Sequence, residues 1–376
     1  MYKKRNSNFF HPPHAFKKTF STFLFLFSQM IISQSSFTAF SLFSGYGTVV
    51  QHTKKIGNLI EERPYFLELN LFKRSSGYYQ WHHINHIPNY GLCLNYQTLG
   101  NTQKLGSSIA LAPYLEFPFH SKPKKILFRL KMTWGLAYIT KRFELETNHK
   151  NIAIGTHFNT FIQFRFLWQI KLSPKICLNP NLTFNHVSNG RFSVPNLGIN
   201  TLYPSLGITY TFRESTIYST ALDSSSHHTH KHELLMFAAA GLNEVEPPTS
   251  NKLWAFSSGI NYYYNLHYQQ IGAGTDIFYE QSLAYELRTT DTIEPILNLT
   301  NTISNGIKLS YAYNFGRLSP LLEMGYYVYM PNAVFPNGMF YHRLGCRYYF
   351  RNNMVAHFSL KTHFAVAYHF EAGIAY

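Results

Sequence analysis

The sequence has little charge, and after its first 35 residues it has no apolar run long enough for a membrane-spanning helix. Charged residues make up 14% of the 376 residues and aromatic residues 17%, yet the mean hydropathy is slightly negative at −0.18. Length alone would allow about two or three soluble domains. The composition favours an amphipathic transmembrane β-barrel instead, because strict alternation hides the apolar face from any average over consecutive residues.

Cysteine and acidic residues are also scarce. The three cysteines, Cys93, Cys177 and Cys346, are far apart, match no metal-binding or redox spacing and form no even disulfide framework. We therefore expect them to be small apolar residues of the sheet. Asp and Glu number 18 against 33 Lys and Arg, which gives a formal net charge of +15. This excess favours an anionic partner without specifying it.

The N-terminus has the layout of a secretory signal peptide. Residues 1–18 carry five basic side chains, an apolar run from Phe20 to Ile32 follows, and small polar residues lie around Ser33 to Ser36. An apolar run of this length is too short to cross a bilayer as a stable helix, so we exclude residues 1–35 from the fold. A single N-terminal anchor helix is the alternative.

Apolar and polar side chains alternate strictly over many short segments. In Leu206–Phe212 and Ile307–Tyr313, every second residue is large and apolar or aromatic, a period typical of β-strands with one apolar face. The chain ends on Tyr376 after an amphipathic strand that begins near Tyr368, and this ending resembles the outer-membrane insertion signal of bacterial barrels. We therefore predict an all-β protein, an antiparallel outer-membrane β-barrel of roughly 14 to 16 strands, with the outer-membrane assembly machinery as a partner.

The remaining chain divides into three parts. Residues 36–213 form the barrel half that carries the candidate site, residues 214–232 form a polar connection rich in histidine and serine, and residues 233–376 supply the strands that complete the barrel. The histidines of the connection lack carboxylate or cysteine partners at fixed spacing. This favours a solvated turn over a metal site.

The candidate catalytic residues lie on one predicted strand. Residues two apart on a strand share a face, so His186 and Ser188 point the same way and their side chains can meet. Leu182 and Phe184 extend this face as an apolar stripe. Because the apolar face of a transmembrane barrel contacts lipid, we expect the serine at the lipid-contacting rim, within reach of a substrate already in the membrane.

A serine hydroxyl becomes a good nucleophile when a base removes its proton, and histidine titrates close to neutral pH. A hairpin centred near Val194 would place Asn200 opposite His186, where its side-chain oxygen can orient the imidazole. Donors available to stabilise an oxyanion, or to bind substrate, follow the serine: Asn189, Gly190, Arg191 and Asn196. Arg191 either contacts phosphate groups of the substrate or occupies an ordinary solvated position in the loop. This chemistry needs no metal or other cofactor.

A longer pattern around these residues resembles a known family. It reads His186-x-Ser188-Asn189-Gly190, followed by Pro195-Asn196-x-Gly198-Ile199. This is similar to the motif of the PagL-type lipid A 3-O-deacylases. The resemblance is stronger to the longer proteins of Bacteroidetes-type bacteria, often labelled acyloxyacyl hydrolases, and it extends from about Gly47 to Phe212 and continues near the C-terminus.

The resemblance implies a barrel esterase that removes ester-linked acyl chains from lipid A, with Ser188 as nucleophile and His186 as base. The family's acidic third member falls on position 200, where this chain has Asn200. A neutral amide can fix the histidine tautomer but stabilises the imidazolium less than a carboxylate does. The shorter family members form eight strands, so either a larger single barrel or an additional β-domain accounts for the residues after about Glu214.

The expected partners are lipopolysaccharide, through its lipid A, and the bacterial outer membrane. We expect no nucleic-acid partner and leave open whether barrels pair as a homodimer. Two other functions stay open. A catalytically silent outer-membrane barrel, acting as a porin, transporter or structural protein, would account for the Asn200 departure and the second half. A phospholipase would use the same serine, since a lipid-facing hydroxyl does not by itself choose its ester.

Overall fold

The computed structural model describes residues 37–120, 125–223, 230–245, 251–287, 299–331, 338–350, 352–364 and 366–376. The expected signal peptide at residues 1–35 lies outside these ranges, as do residues 224–229 of the polar connection. Among the described residues, no helix combines the length and apolar character needed to cross a bilayer.

The first half of the chain folds into an antiparallel barrel of eight main strands. These are β1 Ala39–Tyr46, β3 Tyr65–Arg74, β4 Asn89–Thr98, β5 Ser107–Pro118, β6 Ile126–Ile139, β7 Phe158–Lys171, β8 Ile176–Ser188 and β9 Ile199–Thr211. Neighbours in sequence pair with one another, and β1 pairs with β9, with Ala39 opposite Thr211, so the sheet closes. The short strand β2, Thr48–Val49, extends the pairing along β9.

The second half forms a closed barrel of its own. Its eight strands are β10 His232–Asn243, β11 Leu253–Leu266, β12 Gln269–Glu280, β13 Ile303–Tyr313, β14 Leu318–Tyr329, β15 Phe340–Tyr349, β16 Val355–His363 and β17 Val366–Ala375. The last strand pairs with the first, with Ala375 opposite Phe237. The described helices are short: α1 Lys54–Gly57, α2 Gln80–Ile84, α3 Gln281–Leu287 and α4 Leu299–Thr302.

These pairings confirm the prediction of an all-β antiparallel barrel fold and decide between the two arrangements left open. The chain has an eight-stranded barrel followed by a second β-domain, which is also a barrel. The expectation that residues 233–376 complete one large barrel is corrected, because β1 and β9 already close the first sheet before the connection begins.

Both barrels have a polar, filled interior and an apolar outer surface. In the first barrel, buried Glu68 lies 2.7 Å from both Lys131 and Arg165. In the second, buried Glu323 lies 2.9 Å from Lys308 and 2.6 Å from Arg343. Eight-stranded barrels are just wide enough for side chains to fill, so these lumens disfavour the porin alternative.

The two ends of the barrels carry connections of different length. At the end where β8 stops, the connections of the first barrel are residues 47–64, 99–106, 140–157 and 189–198. At the other end, the hairpins span residues 75–88, 119–125 and 172–175. Outer-membrane barrels have short periplasmic turns and longer extracellular loops. The end with Ser188 thus carries the two longest connections within the first barrel, as the extracellular end of such barrels does.

The barrels contact each other side by side. Trp134 on β6 and Phe358 on β16, both on outer surfaces, have ring centroids 5.6 Å apart. At the end of the barrels away from Ser188, the ring centroids of Phe117 on β5 and Phe315, in the turn before β14, are 5.1 Å apart. The junction thus runs beside the strands that lead to the candidate site.

Candidate active site

Strand β8 carries the candidate catalytic residues at its C-terminal end. Asn181, Thr183 and Asn185 are buried and face the lumen, whereas Leu182 is 39% exposed on the outer face. His186 continues the outer face. The alternation of the sequence therefore places His186 and Ser188 on the lipid side, as the period of two predicts.

The structure brings the imidazole and the hydroxyl together. His186 Nε2 and Ser188 Oγ are 2.8 Å apart, a hydrogen-bond distance across which the hydroxyl can donate. Ser188 is only 6% exposed, so bulk water has little access to its hydroxyl. This is the geometry that general-base activation of a serine requires.

Asn200 holds the other side of the histidine ring. The register of β8 and β9 pairs His186 with Asn200, as the hairpin near Val194 predicts. His186 Nδ1 lies 2.6 Å from Asn200 Oδ1 and, as the donor, fixes the tautomer whose Nε2 accepts the serine proton.

A second histidine, which sequence reasoning missed, extends this hydrogen-bonded series. Asn200 Nδ2 lies 3.2 Å from His52 Nδ1, and His52 Nε2 lies 3.0 Å from the carbonyl of Leu197. With His52 Nε2 as the donor to the Leu197 carbonyl, His52 Nδ1 accepts a hydrogen bond from the Asn200 side-chain amide. The amide is thereby held with its oxygen toward His186.

The loop after Ser188 is closely bonded within itself. The Asn189 N–H donates to Asn196 Oδ1 at 3.0 Å, and Asn189 Nδ2 donates to the Ser193 carbonyl at 2.9 Å. Asn189 therefore acts on the loop, since both its amides have acceptors. Among the described residues, neither the Gly190 N–H nor Asn196 Nδ2 has an acceptor, which leaves these two groups as candidate oxyanion donors.

Two other loop residues have clear structural reasons for their positions. Gly198 has φ +71°, and a Cβ there would lie 3.1 Å from His186 Cε1 and 3.2 Å from Ser188 Cβ, so a side chain would crowd both residues. Arg191, predicted among the substrate-binding residues, lies at the barrel junction. Its guanidinium lies over the Tyr368 ring at 5.4 Å, and its Nε donates to the Glu244 carbonyl at 3.2 Å.

Among the described residues, no group of three or more His, Cys, Asp or Glu side chains is placed to hold a metal ion. The candidate series Ser188–His186–Asn200 is of the general type in which a base activates a hydroxyl. Together with the two barrels, it defines an outer-membrane protein with a hydrolase-like site that faces the lipid.

Comparison with protein families identifies the group within this class. Residues 68–209 match the model described as lipid A 3-O-deacylase (PagL), and residues 230–376 match the model described as acyloxyacyl hydrolase, C-terminal domain. The chain belongs to this family of lipid A deacylases, which are outer-membrane hydrolases, and the predicted family, function and location are confirmed.

No curated protein matches the chain. Similar solved structures include Neisserial surface protein A, at 8% identity and a TM-score of 0.32, over 46% of this chain and 96% of that one. A porin of Rhodopseudomonas blastica, as a triple mutant, matches at 9% identity and a TM-score of 0.17, over 91% and 99% of the two chains.

Proposed function

We propose that the chain hydrolyses an ester-linked acyl chain of lipid A with Ser188 as nucleophile and His186 as base. The observation that carries this proposal is the hydrogen-bonded series from Ser188 through His186 to Asn200, on the lipid face of a barrel of the deacylase family. We also place Ser188 at the extracellular end, because the two longest connections of the first barrel lie there, and lipid A occupies the outer leaflet.

The reaction proceeds in two halves. Ser188 Oγ attacks the carbonyl carbon of the ester while His186 Nε2 takes the hydroxyl proton. The tetrahedral intermediate collapses, the bond to the sugar oxygen breaks, and His186 returns the proton to that oxygen, which leaves as a hydroxyl. Water then attacks the acyl-serine with His186 again as base, and the fatty acid leaves as Ser188 regains its proton.

Asn200 orients His186 in this scheme without contributing a charge. A carboxylate would stabilise the imidazolium more strongly, so the amide must keep its oxygen toward His186 to be of use. His52 supports this orientation, since its Nδ1 accepts a hydrogen bond from the Asn200 side-chain amide. The developing oxyanion receives hydrogen bonds from the Gly190 N–H and Asn196 Nδ2.

Assembly into the outer membrane relies on the last strand in this proposal. Tyr376 exchanges two backbone hydrogen bonds of 2.9 Å with Met236, beside the seam that closes the second barrel. We propose that the assembly machinery recognises this closing strand. A homodimer is not needed for the reaction, because Ser188, His186 and Asn200 come from one chain.

The test is deacylation of lipopolysaccharide by the purified, folded protein, followed by mass spectrometry of lipid A. Ser188→Ala and His186→Ala are the variants, and Ser359→Ala, a buried serine in the second barrel, is the matched control. Acyl loss that depends on Ser188 and His186 but not on Ser359 supports the proposal. Cleavage of glycerophospholipids alone would identify a phospholipase, and no cleavage by the intact protein would favour the silent barrel.

A further inference from the structure

A carboxylate of the second barrel binds the loop that follows Ser188 in the first. Glu244 comes directly after β10 and is only 3% exposed. Its Oε2 accepts hydrogen bonds from Ser193 Oγ at 2.8 Å and from the Val194 N–H at 2.7 Å. Hydrogen bonds to a charged acceptor are about twice as strong as those between neutral groups, so this contact fixes the middle of the loop.

The backbone on both sides of Glu244 adds to the contact. The Glu244 N–H donates to the Arg191 carbonyl at 3.1 Å, and the Arg191 side chain donates back to the Glu244 carbonyl. Lys252, which precedes β11, lies 3.3 Å from Glu244 Oε2 and donates to the Phe192 carbonyl at 2.6 Å. Glu244 and Lys252 together therefore contact each residue from 191 to 194.

Strand β17 of the second barrel also packs against this loop. The Phe370 ring packs so tightly on Gly190 that a Cβ at that position would overlap the ring. Gly190 also has φ +63°, which favours glycine. The residue that offers a candidate oxyanion donor is thus held directly against the second barrel.

We propose that Glu244 is a positioning residue that sets the loop after Ser188, so that the second barrel completes the active site of the first. The inference rests on the proposed function. Glu244 does not touch the reacting atoms; it acts through Ser193 and Val194 on the segment that contains Gly190. A shift of this segment by a few tenths of an ångström would misplace the oxyanion donors while leaving Ser188, His186 and Asn200 on their strands.

The effect of removing the carboxylate follows from its partners. Glu244→Gln removes the charge and can turn a donor toward the Val194 N–H and Lys252, which leaves buried donors without an acceptor. Because oxyanion contacts act mainly in the transition state, we expect kcat to fall by about tenfold or more while KM changes less. Ser193→Ala removes one donor only and should have a smaller effect of the same kind.

The experiment uses the full-length protein in detergent. Deacylation kinetics on lipopolysaccharide, the rate at which a fluorophosphonate labels Ser188, and hydrogen exchange of residues 189–198 are compared among wild type, Glu244→Gln, Glu244→Asp and Ser193→Ala. The control is Glu61→Gln, since Glu61 lies at the same end of the first barrel and pairs at 2.7 Å with Lys104, away from the loop.

We expect Glu244→Gln to lower kcat and the labelling rate and to speed exchange in residues 189–198, with partial rescue by Glu244→Asp and no change in the control. Unchanged exchange in a folded Glu244→Gln protein would overturn the inference whatever the activity, as would unchanged kcat. If Glu244→Gln does not fold, the same comparison applies to Ser193→Ala. A wild-type protein that neither cleaves lipid A nor labels at Ser188 would instead overturn the proposed function.

Discussion

The two barrels share strand number and a filled polar lumen, and each carries a histidine two residues before a serine on one strand. His186 and Ser188 lie on the outer face of β8, whereas His357 and Ser359 of β16 lie inside the second barrel, where both are 2% exposed or less. The two pairs have similar separations, 2.8 and 2.9 Å between ring nitrogen and hydroxyl. Spacing alone therefore does not distinguish them.

The partners of the two serines do distinguish them. Ser359 Oγ donates to Glu371 Oε1 at 2.7 Å, so its proton goes to a carboxylate and not to the imidazole. Glu371 also binds Arg343, which places the pair within the ionic network of the lumen. A histidine two residues before a serine on a strand therefore gains its chemistry from the face it occupies and from the third group that orients the histidine.

The largest expected effect separates the two serines directly. Ser188→Ala should lower the deacylation rate by at least about a thousandfold, because the nucleophile is lost. Ser359→Ala should keep most of the activity, since its hydroxyl has no path to lipid. Rates are measured by release of fatty acid from lipopolysaccharide. Equal losses of activity in both folded variants would contradict this distinction between the two serines.

The ionic networks offer a second comparison. Glu323→Ala leaves the buried cations Lys308, Arg343 and Arg347 with one acceptor fewer, which should destabilise the second barrel by about 3–5 kcal/mol. Glu68→Ala should do the same to the first barrel. Denaturant unfolding followed by fluorescence measures both. If each variant shifts a different transition, the barrels unfold separately; a single common transition would indicate that the junction couples them.

Asn200→Glu tests the third member of the catalytic series. A carboxylate there would stabilise the imidazolium, so we expect activity to be preserved or raised by up to about tenfold. Asn200→Ala, which leaves His186 Nδ1 without its acceptor, is the paired variant and should lower activity. A large loss in Asn200→Glu, measured by the same fatty-acid assay, would argue against the role given to Asn200.

The smallest effect is expected for His52. His52→Ala removes the acceptor of the Asn200 amide, which can then rotate, and activity should fall about threefold to tenfold. In the double variant with Asn200→Glu, the loss should vanish, because a carboxylate has no wrong orientation. Persistence of the loss in the double variant would mean that His52 acts in another way.

The local parts of this structure were predictable, and the long-range parts were not. A period of two fixes which residues share a face, and a single hairpin brings Asn200 opposite His186, so sequence alone predicts the contacts among Ser188, His186 and Asn200. His52 and Glu244 approach the site from segments 148 and 50 residues away from their partners in sequence, and neither lies in a repeating pattern. Apolar and polar residues would also alternate in the same way along the strands of one large barrel and of two small ones. Only the pairing of β1 with β9, which closes the first barrel, distinguishes the two arrangements.

That closure has a consequence for how the polypeptide can be divided. Strands β9 and β10 end and begin on the same side of the membrane, and the described residues between Thr211 and His232 form no barrel strand. A chain severed there would keep every ladder of both sheets. Two separately encoded fragments, one for each barrel, could then insert side by side. They would form a complete active site only where the two barrels associate, so the deacylation rate would measure that association.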